Sequence, residues 1–259
     1  MEVDSTVVAR LRAAGCVFAE EEAAILIASA SPGELDAMVT RRAGGEPLEQ
    51  VVGWAEFAGL RVLVDPGVFV PRRRSEFLVE IAVLLAGRPD GTVPRVVVDL
   101  CCGTGALGLA VAARLGGVEL HAADLDPAAV AGARRNVEPA GGHVYAGDLF
   151  TALPDTLRGR TGVLICNAPY VPTTEIAFMP AEARDHEALM ALDGGADGLA
   201  ILRRAAAEAG SWLAPGGVLL VETSERQATA MAGVMAAAGL TAQVHEDDES
   251  GATVVTGTL

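Results

Sequence analysis

The chain has 259 residues, 51% of them hydrophobic and only 4% aromatic, so its core must be built mainly from alanine, valine and leucine. Its 34 acidic and 19 basic residues give a net charge of −15, which argues against a nucleic acid as the direct substrate. No apolar run reaches about 18 residues, the first residues hold no apolar signal segment, and the four cysteines lack zinc-ligand spacing; we therefore expect a cytoplasmic protein without a membrane span or a metal site.

The first third of the chain predicts helices followed by a hairpin. Residues 5–44 keep helical spacing of their apolar positions and predict a small bundle. Residues 50–64 change to period two, beginning with Val52, and predict a β-hairpin. An amphipathic helix is predicted from Ser75 onward, and residues 89–91, Pro-Asp-Gly, predict a seam before the next domain.

From residue 95 onward, predicted strands and helices alternate, which indicates a parallel, doubly wound α/β sheet. The predicted strands are 96–99, 118–123, 143–146, 162–166 and 217–222, and the predicted helices are 104–115, 127–137, one within 197–213 and one opened by a capping box of Ser224 and Gln227. Residues 241–245 and 253–256 predict a closing hairpin. The sheet is therefore expected to be Rossmann-like, with an antiparallel C-terminal edge strand.

A glycine-bearing turn after the first strand of this sheet predicts a nucleotide-cofactor site. The segment from Asp99 to Gly105 ends the strand, and its glycines permit positive φ and a close approach of the backbone to a ligand. Asp124, at the end of the second strand, stands where an acid binds ribose hydroxyls, and Asp148 can accept a hydrogen bond from adenine. The glycine spacing from Gly103 also fits the dinucleotide fingerprint, so this turn alone leaves NAD and S-adenosylmethionine open.

The tetrapeptide Asn167-Ala168-Pro169-Tyr170 follows the fourth strand and faces the same crevice as the glycine turn. The nitrogen of an amide or an exocyclic amine is a poor nucleophile because its lone pair is conjugated. The Asn167 side-chain oxygen and a backbone carbonyl can accept hydrogen bonds from its two N–H groups. Pro169 stiffens the turn, and the Tyr170 ring can stack on a planar acceptor. These residues favour methyl transfer to such a nitrogen, driven by positioning and without a metal.

The chain resembles the protein-(glutamine-N5) methyltransferases of the release-factor type, the HemK family, over almost its whole length. The similar stretches are residues 53–60 and 66–72 in the connector, 99–105 in the cofactor loop, the tetrapeptide 167–170, which matches Asn-Pro-Pro-Tyr, and 184–199.

This resemblance implies a class I methyltransferase that uses S-adenosylmethionine and acts on the Gly-Gly-Gln loop of a peptide chain release factor. It also implies three domains: a helical substrate-recognition domain (1–48), a β-hairpin connector (49–74) and the methyltransferase domain (75–259). The implied site residues fall into three groups: catalytic Asn167, Pro169 and Tyr170; cofactor-binding Asp99, Cys101, Gly103, Gly105, Asp124, Asp148 and Asn167; and substrate-binding Ala168, Tyr170, Arg72 and Glu187.

Several residues depart from the family's pattern. Ala168 replaces the first proline of Asn-Pro-Pro-Tyr, so the turn loses rigidity. Cys101 replaces the first glycine of the cofactor loop, which is tolerable if its φ is negative. Arg73 and Arg74 replace the proline and glutamate of Arg-Pro-Glu-Thr-Glu, and Ala188 stands where a proline is usual. The changes border the acceptor side and indicate a divergent relative whose protein substrate stays open.

Four alternatives remain beside a protein-glutamine methyltransferase. An amino-methyltransferase of adenine or cytosine would use the same tetrapeptide, but the charge of −15 and the lack of an obvious target-recognition domain disfavour it. A small-molecule methyltransferase is the second alternative. An NAD-dependent oxidoreductase would need a proton donor near the nicotinamide, and the sequence offers no convincing pair for that role. A non-catalytic binding protein would fit Ala168 but not the retained Asn167 and Tyr170.

Overall fold

The computed structural model describes residues 4–87 and 94–259, so the seam expected at residues 89–91 lies outside the described residues. Four short helices open the chain: α1 (Ser5–Ala13), α2 (Ala19–Ser29), α3 (Leu35–Ala43) and α4 (Leu48–Val52). They share a small core of their own, in which Leu11, Leu26 and Val39 are fully buried. Val52 was expected in the hairpin, but it ends α4 because Gly53 takes a left-handed φ of 81° and stops the helix there.

The predicted hairpin consists of β1 (Trp54–Phe57) and β2 (Leu60–Leu63), paired antiparallel. Two of its buried side chains, Phe57 and Val62, pack into the apolar core beneath the large sheet. Asn136 anchors the hairpin further: its side chain accepts from the Leu63 N–H (2.9 Å) and donates to the carbonyls of Leu63 (3.0 Å) and Thr104 (2.9 Å). The hairpin is therefore tied to the loop that was predicted to hold the cofactor.

The remaining elements build one seven-stranded sheet and its helices. They are α5 (Glu76–Ala86), β3 (Val96–Leu100), α6 (Ala106–Leu115), β4 (Glu119–Asp124), α7 (Pro127–Val137), β5 (His143–Ala146), β6 (Thr161–Cys166), α8 (Ala181–His186), α9 (Ala200–Ala209), β7 (Leu213–Thr223), α10 (Glu225–Ala237), β8 (Thr241–Asp247) and β9 (Ala252–Thr258). The strand order is β5-β4-β3-β6-β7-β9-β8. The expected closing hairpin forms one edge, with β9 antiparallel to both β7 and β8.

The sheet is covered on both faces, which confirms the doubly wound architecture. Val97, Val163 and Ile165 point to one face, where they meet α5, α6 and α7. Val98 and Leu164 point to the other, where they meet α9, α10 and the buried Trp212. Burial on both faces explains why the central strands are apolar throughout rather than alternating. Among the described residues, no helix combines the length and the apolar character that crossing a membrane would require.

The strand order places the loops of the predicted site beside one another. β3 lies between β4 and β6, so the chain changes direction across the sheet at the carboxyl end of β3. Ligands of open α/β sheets bind in the crevice at this switch point. A deep cavity lies there, lined by the segments that follow β3, β4, β5 and β6 and by the connector residues 67–75.

Candidate active site

The cofactor loop begins at a fully buried carboxylate. Asp99 is 0% exposed, and its Oδ2 accepts a hydrogen bond from the Gly108 N–H (2.8 Å). A side chain at Gly108 would lie 2.9 Å from the Asp99 Cβ, so this contact requires glycine. The other oxygen, Oδ1, has no hydrogen-bond partner among the described residues. Burial raises the pKa of Asp99 to about 7, and the negative charge of Asp124 contributes to the rise.

Asp124 lies beside this loop at the end of β4, as predicted. Its Oδ2 accepts from the Gly103 N–H (2.8 Å) and its Oδ1 from the Asp126 N–H (2.9 Å). Burial raises the pKa of Asp124, while these backbone donors act in the opposite direction. Each oxygen keeps a free lone pair, so the carboxylate can still accept hydrogen bonds from a ligand in the cavity.

The backbone of the cofactor loop corrects one expectation about Cys101. Its φ is +54°, in the left-handed region, and not negative as its tolerance was thought to require. An L-residue pays roughly 1–2 kcal/mol for this conformation. The neighbouring thiol of Cys166, followed by burial, raises the pKa of Cys101 well above its ordinary value. Gly103 and Gly105 have positive φ, as the glycine turn predicted.

Asp148 lines the cavity after β5, but it is already engaged by a residue that the sequence reasoning missed. The Arg204 guanidinium, on α9, donates to Asp148 Oδ2 at 2.6 Å. Arg204 lines the same cavity. No motif could have revealed it, because it stands 56 residues from Asp148 as an ordinary basic residue of an amphipathic helix.

The acceptor turn after β6 rests on a glycine-rich segment. A side chain at Gly198 would lie 2.1 Å from the Tyr170 carbonyl oxygen, and one at Gly194 would lie 2.7 Å from the Pro169 carbonyl oxygen. Gln227 also donates from Nε2 to the Tyr170 carbonyl (2.9 Å). Ala168 is only 1% exposed and packs into the core below the turn. Backbone contacts therefore hold the turn in place although its first proline is missing.

A buried carboxylate joins the two polar side chains of this turn. Glu222, near the end of β7, is 2% exposed. Its Oε1 accepts from the Tyr170 hydroxyl (2.9 Å) and from Arg74 Nε (3.1 Å), and its Oε2 accepts from Asn167 Nδ2 (3.4 Å). Arg74 Nη2 also donates to the Tyr170 hydroxyl (2.6 Å). Burial, followed by the charge of Glu222, raises the pKa of Tyr170, so its hydroxyl keeps its proton.

Glu222 and Arg74 were not predicted as site residues. The sequence does hold a signal for Glu222, because it is the one acid that closes the apolar strand predicted at 217–222. An acid at the carboxyl end of a buried parallel strand points to the ligand edge of the sheet. Arg74 was noted only as a departure from the family's pattern. Its neighbour Arg73 is exposed and forms no ion pair within the described residues.

The structure brings two of the predicted substrate-binding residues together, but they bind each other. Arg72 Nη2 donates to Glu187 Oε1 at 2.6 Å, and the Val70 N–H donates to the same oxygen at 3.1 Å. The Glu187 side chain is fully buried, and burial raises its pKa although Arg72 acts against the rise. Arg72 lines the cavity, while Glu187 fastens the connector to the segment after the acceptor turn.

Comparisons with known proteins agree with this geometry. Residues 59–197 match the family model described as the methyltransferase small domain. A release factor glutamine methyltransferase of Streptomyces coelicolor is 40% identical over 190 residues, which cover 73% of this chain and 67% of that protein. The chain belongs to the release factor glutamine methyltransferase family. The predicted family and the assignment to the methyltransferases are thereby confirmed.

The release factor glutamine methyltransferase family shares sequence and fold with other methyltransferases. A 4-amino-L-phenylalanine/4-methylamino-L-phenylalanine methyltransferase of Streptomyces pristinaespiralis is 34% identical to this chain over 231 residues, 88% of this chain and 78% of that protein. The structure of a 16S rRNA methyltransferase of T. thermophilus, solved with AdoMet and guanosine, matches with a TM-score of 0.54 at 21% identity. The match covers 79% of this chain and 49% of that one. The expected class I methyltransferase fold is thereby confirmed.

Three arginines line the cavity of this member of the release factor glutamine methyltransferase family. Each is paired with a carboxylate of the same chain: Arg72 with Glu187, Arg74 with Glu222, and Arg204 with Asp148. Arg74, which stands where the family's pattern has glutamate, thus compensates a buried charge.

Proposed function

We propose that this chain transfers a methyl group from S-adenosylmethionine to the side-chain amide nitrogen of a glutamine, in the Gly-Gly-Gln loop of a peptide chain release factor. The observation that carries the proposal is the pairing of Asn167 with Tyr170 around Glu222, directly beside the glycine loop. Such a substrate belongs to the cytoplasm, where we propose that the protein acts.

The residues at the carboxyl ends of β3, β4 and β5 fit S-adenosylmethionine. The Cβ position of Gly103 faces open space, so the loop can approach a ligand closely. Asp124 would hold the ribose, Asp148 the adenine, and the unpartnered Oδ1 of Asp99 suits a cationic group nearby. When bound, S-adenosylmethionine supplies a methyl group on a positively charged sulfur, which leaves as a neutral thioether once the acceptor nitrogen takes that methyl.

The acceptor turn supplies orientation. The Asn167 side-chain oxygen and the Ala168 carbonyl would accept the two N–H hydrogens of the amide, and the Tyr170 ring would lie against its plane. Pro169 limits the freedom of the turn, and Gly194 and the Gln227 side chain fix its backbone from below. The proton of the methylated nitrogen leaves to water. Positioning of this kind can contribute roughly 7–11 kcal/mol to lowering a barrier.

The charge pattern of the cavity favours a neutral acceptor over a nucleic acid. Its three arginines are neutralised by carboxylates of this chain and offer no unpaired cation to a phosphate backbone. The net charge of −15 acts in the same direction over longer distances.

A small aromatic amine is the second candidate acceptor, and the relative from Streptomyces pristinaespiralis supports it. The lone pair of an arylamine nitrogen is conjugated with the ring, so this nitrogen is a poor nucleophile for the same reason as that of an amide. Apolar side chains at the acceptor side of the cavity, Phe69, Met179 and Met190, can contact an aromatic ring.

We also propose that the helical domain expected at residues 1–48 recognises the protein substrate, with residues 49–74 as the connector and 75–259 as the methyltransferase domain. The separate core of the helices supports a distinct unit. Gln50 fastens the start of the connector, which follows that unit, to the site wall: its Nε2 donates to the Val68 carbonyl (3.0 Å), and its Oε1 accepts from the Gly67 N–H (3.2 Å).

To test the proposal, the protein is incubated with radiolabelled S-adenosylmethionine and a release factor of the same organism. The matched acceptor is a release factor whose Gly-Gly-Gln glutamine is alanine, and the matched enzyme is the Asn167→Ala variant. We expect label on the unchanged release factor alone, and at least about 100-fold less with Asn167→Ala. Label on 4-amino-L-phenylalanine but not on the release factor would replace the first candidate by the second.

A further inference from the structure

We propose that Glu222 is a positioning residue that sets the orientation of the Asn167 side-chain amide, so that the amide oxygen faces the acceptor. The inference concerns the site of the proposed function and rests on it only for the role of Asn167. Glu222 lies outside every motif from which the site was predicted, 55 residues from Asn167 along the chain.

The direction of each hydrogen bond in the cluster follows from chemistry. A guanidinium can only donate, so the Tyr170 hydroxyl oxygen accepts from Arg74 Nη2 (2.6 Å). The hydroxyl hydrogen is then free for Glu222 Oε1, 2.9 Å away. Every contact of the Glu222 carboxylate is therefore with a donor.

The same rule orients Asn167. An ionised carboxylate can only accept, so Asn167 must turn its Nδ2 toward Glu222 Oε2, at 3.4 Å. The amide is planar, and Oδ1 consequently points to the opposite side. An Asn167 rotated by half a turn would place two oxygens against each other at Glu222 and would present N–H groups to an acceptor nitrogen that itself needs to donate.

Arg74 makes this arrangement sustainable. Glu222 is 2% exposed, and a buried carboxylate without a cation nearby is costly. Arg74 Nε lies 3.1 Å from Glu222 Oε1 and compensates its charge. A neutral Glu222 would carry a proton and could donate to Asn167, which would remove the constraint on the amide.

The chain offers a direct spectroscopic test, because it contains only two asparagines, Asn136 and Asn167. Selective ¹⁵N labelling of asparagine side chains gives two NH₂ groups, assigned with Asn167→Ala. In Glu222→Gln, we expect the Asn167 signals to move and the Asn136 signals to stay, because Asn136 donates to the carbonyls of Leu63 and Thr104 instead. Unchanged Asn167 signals would overturn the proposal.

Kinetics supply a second test through a double-mutant cycle. We expect Glu222→Gln to lower kcat about 10- to 100-fold, as for loss of one charged hydrogen bond, with the Kd of S-adenosylmethionine within about twofold. In an Asn167→Ala background, the same substitution should change kcat by less than about twofold, because its target is gone. A full loss in both backgrounds would overturn a role through Asn167.

Further variants keep the test decisive. Glu222→Asp retains the carboxylate and should restore part of kcat. Glu222→Met, of similar shape and without a carboxylate, replaces Glu222→Gln in both tests if that variant does not fold. Glu119→Gln makes the same chemical change in an ion pair with Arg160 at the far side of the sheet and should leave kcat unchanged. The NMR result does not depend on the acceptor. If the proposed substrate is wrong, the unchanged protein will not methylate it, but the Asn167 signals will still move in Glu222→Gln.

Discussion

Cys101 carries backbone strain at the place where the family's pattern has glycine. A left-handed φ of +54° is accessible to cysteine at a cost, and far less accessible to a β-branched residue. The strain lies in the loop that was predicted to meet the cofactor. Substitutions at Cys101 therefore report on backbone conformation before they report on thiol chemistry.

We expect Cys101→Gly to change the free energy of unfolding by no more than about 1 kcal/mol, since relief of strain offsets the greater freedom of glycine in the unfolded chain. Cys101→Val should lower that free energy by about 2 kcal/mol or more. Urea unfolding of the three proteins measures both. Equal stability of the valine and glycine variants would show that the loop does not hold φ positive in solution.

Asp99 predicts a pH dependence of stability. Its pKa is about 7 in the folded chain against an ordinary 3.8, so the folded state binds the extra proton between about pH 4 and 7. The contribution of this group to stability is therefore fully present below about pH 4 and is lost as the pH rises through 7. The pKa of Asp124 is also raised, so Asp124 adds to the same trend in parent and variant alike.

We expect the free energy of unfolding of Asp99→Asn to rise relative to that of the parent as the pH rises, with a difference between the two proteins that is about 4 kcal/mol larger at pH 8 than at pH 4. Asparagine keeps an oxygen for the Gly108 N–H, so the loop contact survives. Urea titrations of both proteins at the two pH values measure this. A difference in the free energy of unfolding that does not change with pH would contradict a buried Asp99 carboxyl with a raised pKa.

At this scale, the sequence predicted those residues that sit in local motifs. Asp124 and Asn167 were found because each directly follows a recognisable strand. Glu222 and Arg74 stand 148 residues apart, and Arg204 stands 56 residues from Asp148. Pairings of that kind depend on the strand order and on helix packing, which local spacing does not encode.

Among the elements, α10 and the acceptor turn share one side chain. Gln227 Oε1 accepts from the Ser224 N–H (3.1 Å) in the predicted capping box, while its Nε2 donates to the carbonyls of Tyr170 (2.9 Å) and Asp197 (2.8 Å). The residue was predicted as a helix cap, and its contact with the turn could not be foreseen. The cap, the turn and the glycine segment below it form one assembly.

We expect Gly198→Ala to displace the Tyr170 backbone, because the new Cβ would lie 2.1 Å from its carbonyl oxygen at a φ of +77°. A shift of this size should lower kcat about 100-fold and leave the Kd of S-adenosylmethionine within about twofold. The control is Gly233→Ala on α10, where a Cβ meets open space and should stabilise the helix by up to about 1 kcal/mol. Full activity of Gly198→Ala would show that the turn tolerates displacement.

Element prediction succeeded where local signals were strong. α7 matches its predicted range, 127–137, because Asp126 caps it and Pro127 opens it. α4 was missed because five residues are too few to show helical spacing before Gly53 ends the helix.

In the molecule as a whole, the helical unit exposes two apolar side chains between α1 and α2. Val17 is 84% exposed and Phe18 is 65% exposed. Adjacent exposed apolar residues of this size are typical of contact surfaces. They belong to the unit that we propose to recognise the protein substrate.

We expect the double variant Val17→Asp, Phe18→Asp to raise the KM for a release factor about tenfold, while the KM for a short peptide with the same glutamine stays unchanged. The control is Leu84→Asp, which places a charge at an equally exposed apolar residue of α5. Equal effects on protein and peptide would assign the change to the site itself rather than to a distant contact.

The arrangement of the whole chain was predictable in outline, since alternating strands and helices allow few topologies. The fastening of the connector was not. It depends on Glu187, which binds Arg72 and the Val70 N–H across 115 and 117 residues.

The hold of Gln227 on the acceptor turn also bears on motion. A segment that shares its anchor with the first turn of a helix cannot swing open by itself, because its release would unravel that helix end as well. The acceptor turn is thus a fixed wall and not a lid. Entry and departure of the large substrate must therefore leave this turn in place and use the open mouth of the cavity beside it.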